Sequence, residues 1–186
     1  IDNSKNKNIK NFKKLKNHKN IFIINKSIAK LDFKNKLFSE VNYIMHMASI
    51  ASPHFYRKFP LETIEANVDG LKNILNFYKD KKVHLLYFSS SEIYGDPPKN
   101  KIPTAEDFNG NVSCIGPRSC YDEAKRFCET LCYYYSSINK INIKIVRPFN
   151  NYGPGLDIND KRLPADLANS IIKNKDIKIF SNGKPT

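Results

Sequence analysis

Tyr121 and Lys125 lie four residues apart in a segment, residues 119–135, whose apolar spacing is that of an amphipathic helix. Residues at i and i+4 share one face of a helix, so the phenol and the ammonium are expected to be neighbours. A tyrosine acts as an acid or base near neutral pH only if its pKa of about 10 is lowered, and an adjacent ammonium favours the phenolate. The spacing therefore predicts a tyrosine that can exchange a proton with a substrate.

Ser90 is the third residue that we expect in this chemistry. It follows a short apolar run in the segment SSSEIYGD, and small or polar segments, MASIAS and RPFNNYGPG, follow two further apolar runs. In open α/β sheets the ligand lies beyond the carboxyl ends of the strands. The Ser90 hydroxyl would then share the reacting proton with Tyr121, and a Ser-Tyr-Lys set of this kind suits hydride transfer.

Five short apolar runs and three longer amphipathic segments predict the elements that position these residues. The runs show little alternation, which is typical of strands buried on both faces of a parallel sheet. Their alternation with helices predicts βαβ units and a doubly wound α/β sheet with helices on both faces. The predicted strands are residues 21–25, 41–49, 84–91, 142–150 and 176–180, and the predicted helices are residues 60–80, 119–138 and 163–175. The Lys/Asn-rich residues 2–20 are expected to form a surface loop or a polar helix.

The strong positive charge is spread along the chain. The net charge is +13, and 26 of the 31 basic residues are lysines accompanied by many asparagines. A surface that reads nucleic acid favours arginine, which makes bidentate contacts, so the composition argues against sequence-specific nucleic-acid recognition. Nonspecific binding of anions stays open.

The four cysteines do not have the spacing of a metal site. Cys114, Cys120, Cys128 and Cys132 form no C-x-x-C pair and have no nearby histidine, so no metal is expected and the thiols are interpreted as small buried apolar groups. His46 is interpreted as a packed residue. No apolar run approaches the roughly 20 residues of a membrane span and the first residues contain no signal-peptide core, so we expect no membrane partner and a cytoplasmic location.

Three motifs together resemble a known family. Ser90, the Tyr-x-x-x-Lys of Tyr121 and Lys125, and the run RPFNNYGP at residues 147–154 resemble the extended short-chain dehydrogenases that modify nucleotide sugars, the NAD-dependent epimerase/dehydratase family. Within it, SSSEIYGDP, NVSCIGPRSCYDEAKR and ASIASPHFYRKFPLETIEANV are most similar to UDP-glucuronate decarboxylases. The resemblance implies a Rossmann-like fold, NAD as cofactor, a nucleotide-sugar substrate and a homodimer.

The resemblance also implies a role for individual residues. Tyr121 would be the base that takes the proton from the sugar 4-hydroxyl, and Lys125 would bind the nicotinamide ribose and lower the pKa of Tyr121. Ser90 would hydrogen-bond the sugar 4-oxygen, and Glu92 would assist the chemistry at the sugar ring. The implied substrate contacts add Ser91 and Asn150, the latter at the diphosphate, and the implied NAD contacts add Asp2, Ala48, Ser49, Asn67 and Ser89.

One motif of the family is missing from this sequence. The family seats the cofactor pyrophosphate on a G-x-G-x-x-G turn, whereas here the first glycine is Gly70. Asp2 matches the acidic residue that contacts the adenosine ribose, so about 30 residues would precede it. We therefore expect residues 1–186 to be a partial NAD-binding domain without its first βαβ unit, with the start of the substrate-binding lobe near 151–186 and most of that lobe absent.

Several reactions share oxidation of the sugar at C4, which gives a 4-keto sugar. A carboxylate at C6 would then leave as carbon dioxide, whereas loss of a C6 hydroxyl requires an acid to protonate it. The related dehydratases have Asp-Glu directly after the hydroxyl residue, and this chain has Ser91 followed by Glu92. Decarboxylation is therefore favoured over 4-epimerisation and 4,6-dehydration, and a noncatalytic nucleotide- or anion-binding protein is the alternative of another class.

Overall fold

The computed structural model describes residues 1–2, 18–153, 155–160 and 162–177. Its strands and helices are β1 (Tyr43–His46), β2 (His84–Phe88), β3 (Asn142–Val146), α1 (Pro53–Lys58), α2 (Pro60–Ile64), α3 (Gly70–Tyr78), α4 (Ser119–Asn139) and α5 (Leu163–Ile172). Helices lie between successive strands along the chain, which confirms the predicted α/β alternation.

The three strands form one parallel sheet in the order β1-β2-β3. Ile44 pairs with Leu85 and Leu85 pairs with Ile143, so the three strands run in step and their carboxyl ends meet at one edge. Parallel neighbours need a crossover connection, and the helices between the strands provide it. This edge is the place where the sequence predicts the site.

The main hydrophobic core lies on the sheet face that carries Leu85 and Tyr87. Side chains two residues apart in a strand share a face, and α3 and α4 cover this one with buried apolar groups, among them Leu71, Leu75, Cys128 and Cys132. On the other face, Tyr43 and Met45 of β1 are 76% and 59% exposed. The prediction that the strands are buried on both faces is therefore wrong for β1 within the described residues, because this face of β1 is open to solvent.

The predicted strand at residues 21–25 is also wrong. Phe22 is exposed, and the only pairing described here is an isolated parallel bridge between Asn25 and Asp2. An apolar run becomes a strand only where neighbouring backbones pair along it, and composition does not report that pairing. Of the run at 176–180, residues 176 and 177 are irregular, while residues 178–180 and most of 2–20 lie outside the described residues.

The predicted helix at residues 60–80 is interrupted. Pro60 begins α2, where its fixed φ suits a first turn, and a π-helical turn at Glu65–Asp69 separates α2 from α3. Asn67 in this turn is buried, and its side-chain N–H donates to the Thr63 carbonyl at 2.8 Å. The wider turn therefore places a polar side chain inside the protein.

The long helix α4 carries its chemistry on its buried face. Tyr121, Lys125, Cys128 and Cys132 follow the 3.6-residue period, and all four side chains are buried. The predicted burial of the cysteines is right for Cys120, Cys128 and Cys132, whereas Cys114 is exposed on the loop before α4. Within the described ranges there is no group of three side chains that could hold a metal ion, and no helix is long and apolar enough to cross a membrane.

We predict that Leu75→Ala lowers the free energy of unfolding by about 2–5 kcal/mol, because it leaves a cavity in the core between α3 and the sheet. Denaturant unfolding monitored by circular dichroism measures the loss. Leu37→Ala is the matched control: Leu37 is exposed, so its truncation should change stability by less than about 0.5 kcal/mol. Equal losses in the two variants would contradict the placement of the core.

Candidate active site

A cavity of about 620 Å³ opens at the carboxyl edge of the sheet. Ser49 comes from the segment after β1, Ser90 from the segment after β2, and Asn150 from the segment after β3. Helix α4 contributes Tyr121 and Lys125 to the same cavity wall. The structure thus brings together the residues that the sequence places at three strand ends and on one helix.

Ser90 and Tyr121 are neighbours in this cavity. Both residues are buried, and the Ser90 hydroxyl is close enough to the Tyr121 phenol to lower its pKa. Ser90 also caps the short turn Ser91–Tyr94, since its hydroxyl oxygen accepts from the Glu92 N–H at 3.3 Å. Gly95 ends this turn with φ +64, in a position where a Cβ atom would collide with the Asn111 carbonyl. The turn chemistry therefore fixes the serine that faces the tyrosine.

Lys125 is 3% exposed and lies beneath the two residues just described. Its Nζ donates to the Phe88 carbonyl at 2.6 Å, and it lies 5.7 Å from the centre of the Tyr121 ring. Burial lowers the pKa of Lys125 to about 8, since an ammonium loses its hydration inside the protein. The predicted proximity of the phenol and the ammonium is confirmed.

The pKa of Tyr121 does not shift in the predicted direction. Burial raises it, while the neighbouring Ser90 hydroxyl and the charge of Arg162 lower it. Arg162 lines the same cavity and is held by two hydrogen bonds to the Asp160 carboxylate, at 2.8 and 2.7 Å. The net direction is upward because desolvation of the phenolate outweighs the groups that stabilise it.

A second cavity, of about 450 Å³, lies beside β1. It is lined by Asp2 and Ala48 and by apolar side chains such as Ile28 and Phe33. Met47 lines both cavities, so the two spaces adjoin at the end of β1. An elongated ligand could therefore extend from Tyr121 to the neighbourhood of Asp2.

The residues predicted to contact a cofactor divide between these spaces. Ser49 and Ser89 line the first cavity and Asp2 and Ala48 line the second, whereas Asn67 is buried behind them and lines neither. Ser49 Oγ, Ser89 Oγ and Asn67 Oδ1 are buried without a hydrogen-bond partner among the described residues. An unpaired buried polar group costs about 1–3 kcal/mol. The two serine hydroxyls at the cavity wall are therefore suited to a ligand that carries polar groups.

The predicted substrate residues Ser91, Glu92 and Asn150 all line the first cavity. Glu92 forms an ion pair with Arg118, whose Nε also donates to Asp122 at 3.4 Å. Sequence analysis assigned no role to Arg118, although its position three residues before Tyr121 could have indicated a shared helix face. Arg118 and the buried Tyr56 are thus cavity residues that the sequence reading missed.

Two further arginines hold the segment after β2 against its neighbours. Arg126 Nη1 donates to the carbonyls of Ile93 and Asn109, at 3.0 and 2.7 Å. Arg147 binds both oxygens of Glu129, at 3.0 and 2.7 Å, and donates to the Tyr94 hydroxyl at 3.0 Å. Arg126, which sequence analysis left without a role, therefore fastens this segment to α4.

His46 is packed beneath the site, as predicted. It is buried, and its ring centre lies 5.9 Å from that of Tyr87. Burial, followed by the positive charge of Lys125, lowers the pKa of His46 to about 4. The imidazole is therefore neutral at neutral pH.

We predict that His46 makes the protein sensitive to acid. Because the folded-state pKa lies below the ordinary histidine value of 6.5, the unfolded chain binds more protons between pH 6.5 and about 4. Stability is then lost as the pH falls through this range, by roughly 3 kcal/mol from this group. His46→Leu should flatten the dependence in urea unfolding at several pH values, while His54→Leu, which removes an exposed imidazole, should leave it as it is. Equal slopes for His46→Leu and the unsubstituted protein would contradict the assignment.

Comparisons with known proteins identify the family. A model of the NAD dependent epimerase/dehydratase family matches residues 3–186. UDP-glucuronic acid decarboxylase 1 of Xenopus tropicalis is 36% identical over 169 residues, which cover 91% of this chain and 38% of that protein. UDP-glucuronic acid decarboxylase 6 of Arabidopsis thaliana is 41% identical over 155 residues, which cover 83% of this chain and 45% of that protein.

The fold is shared with solved structures. The UDP-N-acetylglucosamine 4-epimerase from Methanobrevibacter ruminantium M1, in complex with UDP-N-acetylmuramic acid, matches with a TM-score of 0.79 and 24% identity, over 90% of this chain and 52% of that one. The chain spans less than half the length of the two curated relatives. The match to the family model includes all three strand ends and the residues that line the first cavity, and the chain belongs to the NAD dependent epimerase/dehydratase family.

Proposed function

We propose that the full-length protein oxidises a nucleotide sugar at C4 with NAD, and that its substrate is UDP-glucuronate, which it decarboxylates to UDP-xylose. The observation that carries this proposal is that the buried side chains of Ser90, Tyr121 and Lys125 line one cavity of about 620 Å³. A protein that only binds a nucleotide has no need for these three groups at one place.

NAD fits the residues of the two adjoining cavities. When bound, it supplies the acceptor that takes the hydride from C4 and later returns it. Ser49 and Ser89 offer hydroxyls without a partner among the described residues, and we propose that they contact NAD together with Asp2 and Ala48. Asn67 lines neither cavity, so the expected contact of this residue with NAD is not proposed again. Lys125 would contact the nicotinamide ribose, since its ammonium lies next to the Tyr121 ring.

Tyr121 is the proposed base. Its hydroxyl takes the proton from the sugar 4-hydroxyl, and Ser90 hydrogen-bonds the 4-oxygen so that the proton can move between the groups. The raised pKa of Tyr121 means that the phenolate needs support at neutral pH. The charge of Arg162 lowers this pKa, and the Lys125 ammonium lies 5.7 Å from the centre of the ring. Ser91, Glu92 and Asn150 line the same cavity and are the proposed contacts to the rest of the sugar nucleotide.

Decarboxylation follows from the chemistry of the oxidised sugar. A ketone at C4 is β to a carboxylate on C5, so the bond from C5 to the carboxylate breaks readily, carbon dioxide leaves, and C5 then takes up a proton. Dehydration would instead need an acid to protonate the leaving hydroxyl. Position 91, where the related dehydratases have an aspartate, carries a serine in this chain, so that acid is missing. The relatives named UDP-glucuronic acid decarboxylase, 36% and 41% identical, support the same choice.

We also propose that residues 1–186 form part of a NAD-binding domain and that residues near 151–186 begin the substrate-binding lobe. Arg162 and Leu163 at the start of α5 support this, because they line the cavity together with the strand-end residues. A cytosolic site of action belongs to the same proposal, and the unpaired thiols of the four cysteines favour a reducing compartment.

A homodimer is the proposed assembly. Helices α2 and α4 pack together, and their outer surfaces carry exposed apolar side chains. Phe127, Tyr134 and Ile138 recur at helical spacing along α4, and Leu61 and Ile64 add to them from α2. Exposed apolar side chains on two helices that pack together are typical of a protein interface, and a two-fold axis would bury them against their own copy.

Tyr121→Phe in the full-length protein should reduce kcat by about 100- to 10,000-fold, since a positioned general base contributes about that much. The measurement is release of carbon dioxide from UDP-glucuronate, with UDP-xylose and net NADH followed in the same reaction. The fold should survive because phenylalanine has nearly the same shape. Tyr133→Phe, on the exposed side of α4, should leave kcat unchanged.

Other outcomes would identify another activity. Conversion of only a neutral nucleotide hexose by the unsubstituted protein would replace the decarboxylase by a 4-epimerase or, if water is lost, by a 4,6-dehydratase. Binding of NAD or nucleotide sugar without any turnover would indicate a noncatalytic protein. Full activity of Tyr121→Phe would contradict the role of the tyrosine in each of these enzymes.

The proposed dimer predicts a matched pair of substitutions. Ile138→Glu places a charge on the exposed surface of α4 and should convert the full-length protein to monomers in sedimentation equilibrium. Ile172→Glu places the same charge on the equally exposed end of α5 and should leave the dimer intact. A monomeric unsubstituted protein, or a dimer that tolerates Ile138→Glu, would contradict the proposed interface.

A further inference from the structure

We propose that Arg118 is a positioning residue that holds the Glu92 carboxylate at the cavity beside Tyr121. This role rests on the proposed function, because it concerns the carboxylate that would act on the sugar ring. Arg118 lines the first cavity together with Glu92 and Tyr121. The three residues come from two parts of the chain, the turn after β2 and the beginning of α4.

Arg118 joins two carboxylates from these different elements. Its Nη2 pairs with Glu92 Oε2, and its Nε donates to Asp122 Oδ2 at 3.4 Å. The planar guanidinium has donors in a fixed arrangement, so one side chain can bind both oxygens with a defined angle between them. The Asp122 side chain is only 10% exposed and sits on α4, which makes it the rigid side of this pair of contacts.

A third contact connects Arg118 to the catalytic tyrosine. Arg118 and Tyr56 line the same cavity, and the charge of Arg118 lowers the pKa of the Tyr56 phenol, which burial raises. The Tyr56 ring stacks on the Tyr121 ring with centroids 5.2 Å apart and an interplanar angle of 12°. Tyr56 is buried and its backbone carbonyl accepts from the Cys120 thiol. Arg118 therefore fixes Glu92 relative to the same ring pair that contains the base.

Glu92 needs such a restraint more than Ser90, Tyr121 and Lys125 do. Its side chain is 35% exposed and lies on a turn of four residues, whereas Ser90, Tyr121 and Lys125 are buried. A glutamate has three side-chain torsions, and an exposed one loses substantial entropy when it is held in one orientation. The contact with Arg118 restricts these torsions before a substrate arrives.

A double-mutant cycle in the full-length protein tests this role. Arg118→Met should lower kcat for UDP-glucuronate by about 100-fold, as expected when a catalytic group is displaced by about 1 Å, with KM changed only a few-fold. If Arg118 acts through Glu92, adding Arg118→Met to Glu92→Gln should lower kcat by no more than about three-fold beyond Glu92→Gln alone. Arg118→Lys should give an intermediate kcat, because lysine keeps the positive charge but lacks the planar set of N–H donors of the guanidinium group.

Arg57→Met is the matched control, since it removes the same charge from an exposed position next to Tyr56 and should leave kcat unchanged. Independent, multiplicative losses in the double variant would overturn the positioning role, and so would an unchanged kcat in Arg118→Met. An unsubstituted protein without decarboxylase activity contradicts the proposed function separately. In that case the same cycle is run on the neutral nucleotide hexose that the protein converts, and the same coupling between Arg118 and Glu92 is expected. A protein that converts no nucleotide sugar would overturn both the proposed function and the positioning role of Arg118.

Discussion

The site depends on the burial of one ammonium group. Lys125 is 3% exposed, and its Nζ is held by the Phe88 carbonyl at the end of the central strand. A buried cation is unfavourable unless it is hydrogen-bonded, so this contact links α4 to the carboxyl edge of the sheet. Tyr121, one turn earlier on the same face of α4, is thereby placed against Ser90 in the segment that follows the same strand.

The surroundings of this ammonium are consistent with its charge. His46 stays neutral beneath it, because its pKa is lowered to about 4. The apolar part of the same helix face, Cys128 and Cys132, packs into the core beside Tyr87. The buried face of α4 therefore contacts two regions: its first turns line the cavity, and its later turns pack in the hydrophobic core. Packing of α4 in the core therefore positions the proposed base, so a loss of core packing would displace Tyr121 in the cavity.

Much of the fold and the site could be predicted from the sequence because each depends on local spacing. The interval between Tyr121 and Lys125 determines a shared helix face, and the short apolar runs ending in small residues indicate β1, β2 and β3. The strand predicted at residues 21–25 was wrong because strand formation requires backbone pairing with a distant segment, and composition does not encode that pairing. Arg118 was missed for a similar reason: its partners, Glu92 and Tyr56, lie 26 and 62 positions earlier in the chain. The direction of the Tyr121 pKa shift was also not predictable, because burial depends on tertiary packing.

We propose that NAD would accept the hydride from C4 of the sugar while Tyr121 takes the proton with the help of Ser90 and Lys125, and that the same hydride returns to that carbon. The most direct measurement follows UDP-glucuronate labelled with deuterium at C4 through conversion by the full-length protein, with mass and proton NMR spectra of the nucleotide product. The account predicts a UDP-pentose that retains deuterium at C4, with one carbon dioxide released for each product molecule. A product that carries hydrogen from solvent at C4 would contradict it. Decarboxylation by the Tyr121→Phe variant without oxidation at C4 would contradict it as well.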